Sequence, residues 1–274
     1  MSGRPDKRRR WLFRAILLSM ATIVPLLFIE VAMRIGGVEY PIVTQRDVNR
    51  GYAYRPAYQW TQSSEGHAEI RTNSFGFRDD EWTIEKPADT VRIAVLGDSY
   101  VDAVQVAKEH RFTELVEADL IDSGVFGSSD VEVMNFGTSG YGTAQELMTY
   151  RHAVREFKPD FVILSFLTGN DIRNNSRKLE GDPVRPYFVC SEDGLKLDTS
   201  FRSKELPAVK MLGQLAARHS RIGQFAVHAY RASGVRNVVK QIEQDEQSEL
   251  MREGLLQPGL SIEIYKETKN KDWQ

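Results

Sequence analysis

Three short apolar runs set the tightest limit on how this chain can fold. They are VRIAVL at 91–96, VEVMNF at 131–136 and FVILSF at 161–166. Runs of this length, rich in branched and aromatic residues, read as strands. Between the first two, Phe112, Leu115, Val116, Leu120 and Ile121 recur at helical spacing, and between the second and third Leu147, Met148, Val154 and Phe157 do the same. Strand, helix, strand, helix, strand predicts parallel strands joined by right-handed crossovers, and so an α/β fold. Largely continuous apolar runs predict strands covered on both faces. Beyond Asn175 the pattern changes. Residues 185–201 predict a hairpin turning at Glu192-Asp193-Gly194, residues 205–252 read as helical, and 265–274 carry no regular pattern. No fourth run of the earlier kind follows, so the sheet is expected to lack its C-terminal strands. Residues 36–90, interrupted by Pro41, Gly51 and Pro56, are expected to be irregular and partly extended.

A second feature lies at the N-terminus. Residues 15–29 hold no charge, and the segment from Trp11 to Ile35 is long enough to cross a hydrocarbon layer of roughly 30 Å. Arg8, Arg9 and Arg10 precede it. That asymmetry predicts a cytoplasmic N-terminus and an extracytoplasmic remainder, in a periplasm or at a cell surface. Arg14 and Glu30 are expected to snorkel toward the two faces. No small-x-small site follows the apolar core, which favours an uncleaved anchor over a signal peptide. The expected division is a basic tail and anchor at 1–36, a linker or edge region at 37–90, and an α/β domain at 91–274 with a variable insertion at 176–260. The formal net charge of −2 gives no electrostatic case for nucleic acid. The single cysteine, Cys190, excludes an intrachain disulfide framework, and its aromatic neighbours predict a half-buried thiol.

In an open parallel sheet, ligands gather beyond the carboxyl ends of the strands. Gly97-Asp98-Ser99 follows the first run, GTSGYG from Gly137 the second, and Gly169-Asn170-Asp171 the third. A serine in such a place can serve as a nucleophile if donors face the oxyanion it creates. The backbone N–H groups of Ser99 and Gly137 and the side-chain amide of Asn170 are the candidates, asparagine being a donor without charge. Taken alone, Gly-Asp-Ser is also common turn chemistry; Asp98 reads as the residue that organises the loop. Asp98 and Asp171 fall short of the oxygen count a hard cation needs, so no metal site is expected. The glycine loop lacks the Gly-Lys-Ser/Thr ending of a phosphate loop and the dinucleotide pattern. Trp60 and the nearby tyrosines are expected to pack against the sheet edge rather than bind sugar.

GDSY, NFGTSGYGTAQE and GNDIRNN, in this order, resemble the blocks of the SGNH (GDSL-type) hydrolases over roughly residues 70–175. The likeness is greatest to anchored or exported members with a segment like TNSFGFRDDE, here at 72–81. The resemblance implies a flavodoxin-like α/β/α sandwich with strand order 2-1-3-4-5. It implies Ser99 as nucleophile, with Gly137 and Asn170 completing the oxyanion hole and Gly97, Asp98, Gly169 and Asp171 supporting the loops. The chemistry implied is ester hydrolysis without a cofactor, on an acyl ester such as an O-acetylated carbohydrate or a lipid. One block departs. The family's base is the histidine of an Asp-x-x-His, and no aspartate here has histidine three residues later. The histidines are His67, His110, His152, His219 and His228, and they read as surface or packing residues, with His228 the nearest substitute by position. Missing strands and missing base point to one deletion, so impaired catalysis is expected. The alternatives are a non-catalytic glycan- or partner-binding protein and an extracytoplasmic acyltransferase.

Overall fold

The computed structural model describes residues 7–62, 66–192, 194–203 and 217–229. The chain forms two compact units, 1–42 with 206–244 and 43–205 with 245–274.

In the first unit, α1 runs from Lys7 to Ile35. Its stretch Arg9–Ile35 is long and apolar enough to cross a membrane, and none of it is buried within the protein. Of the helix expected over 205–252, residues 217–219 and 221–229 are helical, and the rest lies outside the described residues. Ser220 separates the two pieces and caps the second, its hydroxyl accepting the Gly223 N–H at 3.1 Å. Glu30 does more than snorkel. Its carboxylate accepts the Arg221 N–H at 3.0 Å, the Ile222 N–H at 3.1 Å and the Ser220 hydroxyl at 2.9 Å.

The second unit opens with two antiparallel hairpins where irregular chain was expected. Strands β1 (Thr44–Asp47) and β2 (Gly51–Tyr54) pair, as do β3 (Gln59–Gln62) and β4 (Ala68–Arg71). Each strand has four residues, too few for a clear period, yet β3 and β4 turn Trp60, Ala68 and Ile70 inward. Those side chains pack with Tyr54 and Val104, so Trp60 is a core residue.

Strand β5 (Thr90–Leu96) leads into a single helical turn, α2 (Ser99–Asp102). Helix α3 (Phe112–Ser123), β6 (Asp130–Asn135), α4 (Thr143–His152) and β7 (Phe161–Leu164) follow. Then come two short helices, α5 (Asp171–Asn175) and α6 (Arg177–Glu180), and a hairpin of β8 (Tyr187–Ser191) and β9 (Gly194–Asp198). That hairpin is the one expected, although Asp193 of its turn lies outside the described residues. Cys190 on β8 is exposed rather than half-buried, because the strand buries only its first residue, Tyr187.

The three apolar runs form one parallel sheet in the order β6-β5-β7. The fold is therefore mixed α/β, and the central strand carries both cores. Ala94 and Leu96 pack with Phe77, Met134, Phe136, Val154 and Phe157 on one face. Ile93 and Val95 pack with Val101, Val131 and Val133 on the other. The expectation of two covered faces holds for β5 and fails for β7, whose four residues are 44% to 51% exposed. As the sheet's edge, β7 has a strand neighbour on one side only among the described residues. Helix α3 forms where its spacing predicts, but Phe112, Leu115 and Ile121 remain exposed. Its Leu120 reaches the core.

Candidate active site

Ser99 is the first residue of α2, directly past the carboxyl end of the central strand. Asp98 caps that turn, one carboxylate oxygen accepting the Tyr100 N–H at 3.0 Å. Its other oxygen accepts the Asn170 side-chain amide at 2.8 Å. The Thr138 N–H donates to the Gly97 carbonyl at 3.1 Å. Thus the loops after β6 and β7 are both bonded to Gly97-Asp98-Ser99. Ser99 is half-buried, and its hydroxyl makes no hydrogen bond among the described residues.

Gly137 has a different role from the one expected. Its N–H donates to Asn135 Oδ1 at 2.9 Å and so is already engaged. Asn135 in turn donates its amide to the Val101 carbonyl at 2.8 Å, fastening the end of β6 to α2. A Cβ on residue 137 would lie 2.4 Å from the Asp102 nitrogen and 2.7 Å from the Val101 carbonyl carbon. Gly137 is required because two backbones meet there. Gly137→Ala is expected to cost about 1–3 kcal/mol, the usual range for overpacking, read as a lower urea midpoint. An unchanged midpoint would show that the α2–β6 contact is loose.

Gly140 is a loop glycine the sequence did not single out. The Tyr141 N–H bonds the Thr138 carbonyl at 3.1 Å, closing a turn in which Gly140 has φ +79°. That conformation at the third turn position is glycine's. The Gly140 N–H has no acceptor among the described residues. The turn is fixed from beneath by Asp102, whose Oδ2 accepts the Ser139 N–H at 3.0 Å, the Ser139 hydroxyl at 2.5 Å and the Tyr54 hydroxyl at 2.5 Å. Asp102 is fully buried, and burial pushes its carboxyl pKa up.

The segment at 72–81 braces the same place. Arg78 donates to the carbonyls of Asp102 at 2.8 Å, of Val106 at 2.5 Å and of Ala103. Asp79 accepts the Asn135 N–H at 2.8 Å and pairs with Arg111 at 3.0 Å. Nothing in the local pattern of RTNSFGFRDDE assigns these contacts, since each joins residues far apart in the chain. No family model matches the chain, and no curated protein does. The site therefore stands on its own geometry.

Two further carboxyls lie near Asp98. Asp171 begins α5 and accepts the Leu167 N–H at 2.6 Å, closing the loop that presents Asn170. Burial, with the Asp98 charge adding to it, raises its pKa to about 6. Glu146 of α4 is 1% exposed, and neither of its carboxyl oxygens has a partner among the described residues. Burial raises its pKa to about 8, and the charges of Asp171 and Asp98 push the same way. Such a group is neutral at pH 7, the state that burial without a partner favours. Among the described residues no group of three or more histidines, cysteines or carboxylates could hold a metal ion.

All five histidines are exposed. His228 is stacked on Tyr40 with ring centroids 4.3 Å apart, within the first unit. No hydrogen bond joins a histidine to Ser99 among the described residues.

Proposed function

We propose that residues 43–205 carry a serine acyl-transfer site of the SGNH type, held outside a membrane by α1, that hydrolyses an ester such as an O-acetyl group on a carbohydrate or lipid. One observation carries this reading: the loops after the three parallel strands are hydrogen-bonded together around Ser99. The order β6-β5-β7 agrees with the first three strands of the 2-1-3-4-5 sandwich. In the reaction, Ser99 Oγ attacks the acyl carbon and loses its proton to a base. The carbonyl oxygen becomes an oxyanion. Its donors are the N–H groups of Ser99 and Gly140 and the second N–H of the Asn170 amide, the first being held by Asp98. Collapse expels the alcohol, and water releases the acyl group from Ser99. Each oxyanion donor in such a site supplies roughly 2.7–4 kcal/mol.

Asp98 is a poor base, since both of its oxygens accept hydrogen bonds. With no histidine of residues 43–205 hydrogen-bonded to Ser99 among the described residues, residues 1–274 are expected to hydrolyse p-nitrophenyl acetate close to the background rate, because a site without its base keeps only a small residual acceleration. Turnover that depends on His228 would contradict this. The same exposed histidines favour, as a second reading, a site that binds an acylated glycan without cleaving it. Covalent capture of Ser99 by a serine-reactive phosphonate, with imidazole supplied in place of the base and Ser99→Ala as control, separates the two.

A further inference from the structure

We propose that the 221–229 helix lies on the outer surface of the bilayer, clasped to the exit of the anchor by Glu30, with Phe225 set into the lipid boundary. This rests on the membrane-spanning reading of α1. With Trp11 at one boundary, about 28 Å of helix at ~1.5 Å per residue brings Glu30 to the other. At that level the carboxylate receives the first two N–H groups of the 221–229 helix and the hydroxyl of its cap, Ser220. An anion at a helix N-terminus satisfies donors that the helix itself leaves unpaired.

Further contacts hold the helix to the residues just past the apolar span. Arg34 joins Glu30 at 2.9 Å and the His219 carbonyl at 2.7 Å. The Tyr40 N–H donates to Gln224 Oε1 at 3.1 Å. The Tyr40 ring stacks on His228 and lies 5.8 Å from Phe225. Phe225 is 50% exposed, and Ala226 and Ala229 beside it are exposed too. A short helix with an open apolar side, neighbouring arginines and an aromatic ring cluster suits the headgroup boundary. The lipid is continuous with the bilayer that α1 crosses, which is why lipid is the occupant inferred.

The test uses the whole chain in vesicles of phosphatidylcholine and phosphatidylglycerol. Cys190→Ser supplies the background, and single cysteines from Met20→Cys or Ala226→Cys carry an environment-sensitive fluorophore. Lipids bearing a deep or a shallow quencher report depth. The label at 20 is expected to be quenched by the deep probe, and the label at 226 several-fold more by the shallow probe than by the deep one. Glu30→Ala is expected to abolish most quenching at 226 and leave position 20 unchanged. Quenching at 20 with none at 226, or quenching at 226 indifferent to Glu30→Ala, overturns the clasped surface helix alone. No deep quenching at 20 overturns the span, and the surface helix with it.

Discussion

Replacing Arg78 by methionine is expected to destabilise residues 43–205 by about 2–4 kcal/mol, since a buried carbonyl left without its donor costs about 1–3 kcal/mol and three carbonyls lose theirs, two of them only partly buried. Arg78 is 2% exposed and is the donor for the carbonyls of Asp102, Ala103 and Val106. Methionine fills much of the volume but donates nothing, and each carbonyl it strands keeps its desolvation cost. Arg78→Lys keeps the charge but not the fork of donors, so its loss should be smaller. Because α2 has four residues, it cannot persist by helix propensity and depends on such braces. Ser99 should therefore become less reactive in the same variants. The measurement is the urea midpoint of each protein. Equal midpoints for Arg78 and methionine would show that water satisfies those carbonyls.

The second large effect concerns Glu146 and depends on pH. Its pKa is raised from the usual 4.5 to about 8 in the folded protein. The folded state therefore holds a proton that the unfolded chain has released. The stability linked to that proton is fully present below about pH 4.5 and is lost as pH rises through about 8. Glu146→Gln keeps the shape and removes the titration. Its advantage over the native protein should be near zero at about pH 4 and on the order of 2–4 kcal/mol at about pH 9. Asp171, raised to about 6, adds a smaller dependence of the same sign over a lower range. Urea midpoints of the two proteins across this range check it. A difference between the two proteins that does not change from pH 5 to 9 would contradict the raised pKa of Glu146.

The parallel sheet was legible because the apolar runs of β5, β6 and β7 are each bounded by a turn-forming loop, and the strand-to-loop order put Ser99 and Asn170 at one end of it. The hairpins of β1 to β4 were not, since strands of four residues interrupted by glycine and proline leave no period to count. The exposure of β7 and α3 escaped for a different reason: periodicity specifies an element's apolar side, not what covers it. At the site, the sequence showed which loops carry glycine but not which glycine N–H is free. That distinction comes from the Asn135 side chain, which occupies Gly137, and from the turn closed by Tyr141, which leaves Gly140 open. Arg78, Asp102 and Glu146 are buried charged residues whose roles depend on partners distant in the chain, and local patterns carry no record of those. Glu30 shows the same limit, its helix partner lying near residue 221.

The nucleophilicity of Ser99 is the claim on which the functional reading depends. The direct measurement is mass spectrometry of the Ser99 peptide after incubation with a serine-reactive phosphonate, with imidazole added to stand in for the base. The predicted result is an adduct on Ser99 that increases with imidazole and is absent from Ser99→Ala. No adduct on Ser99 at any imidazole concentration, or equal labelling of the Ser99→Ala protein, would contradict it.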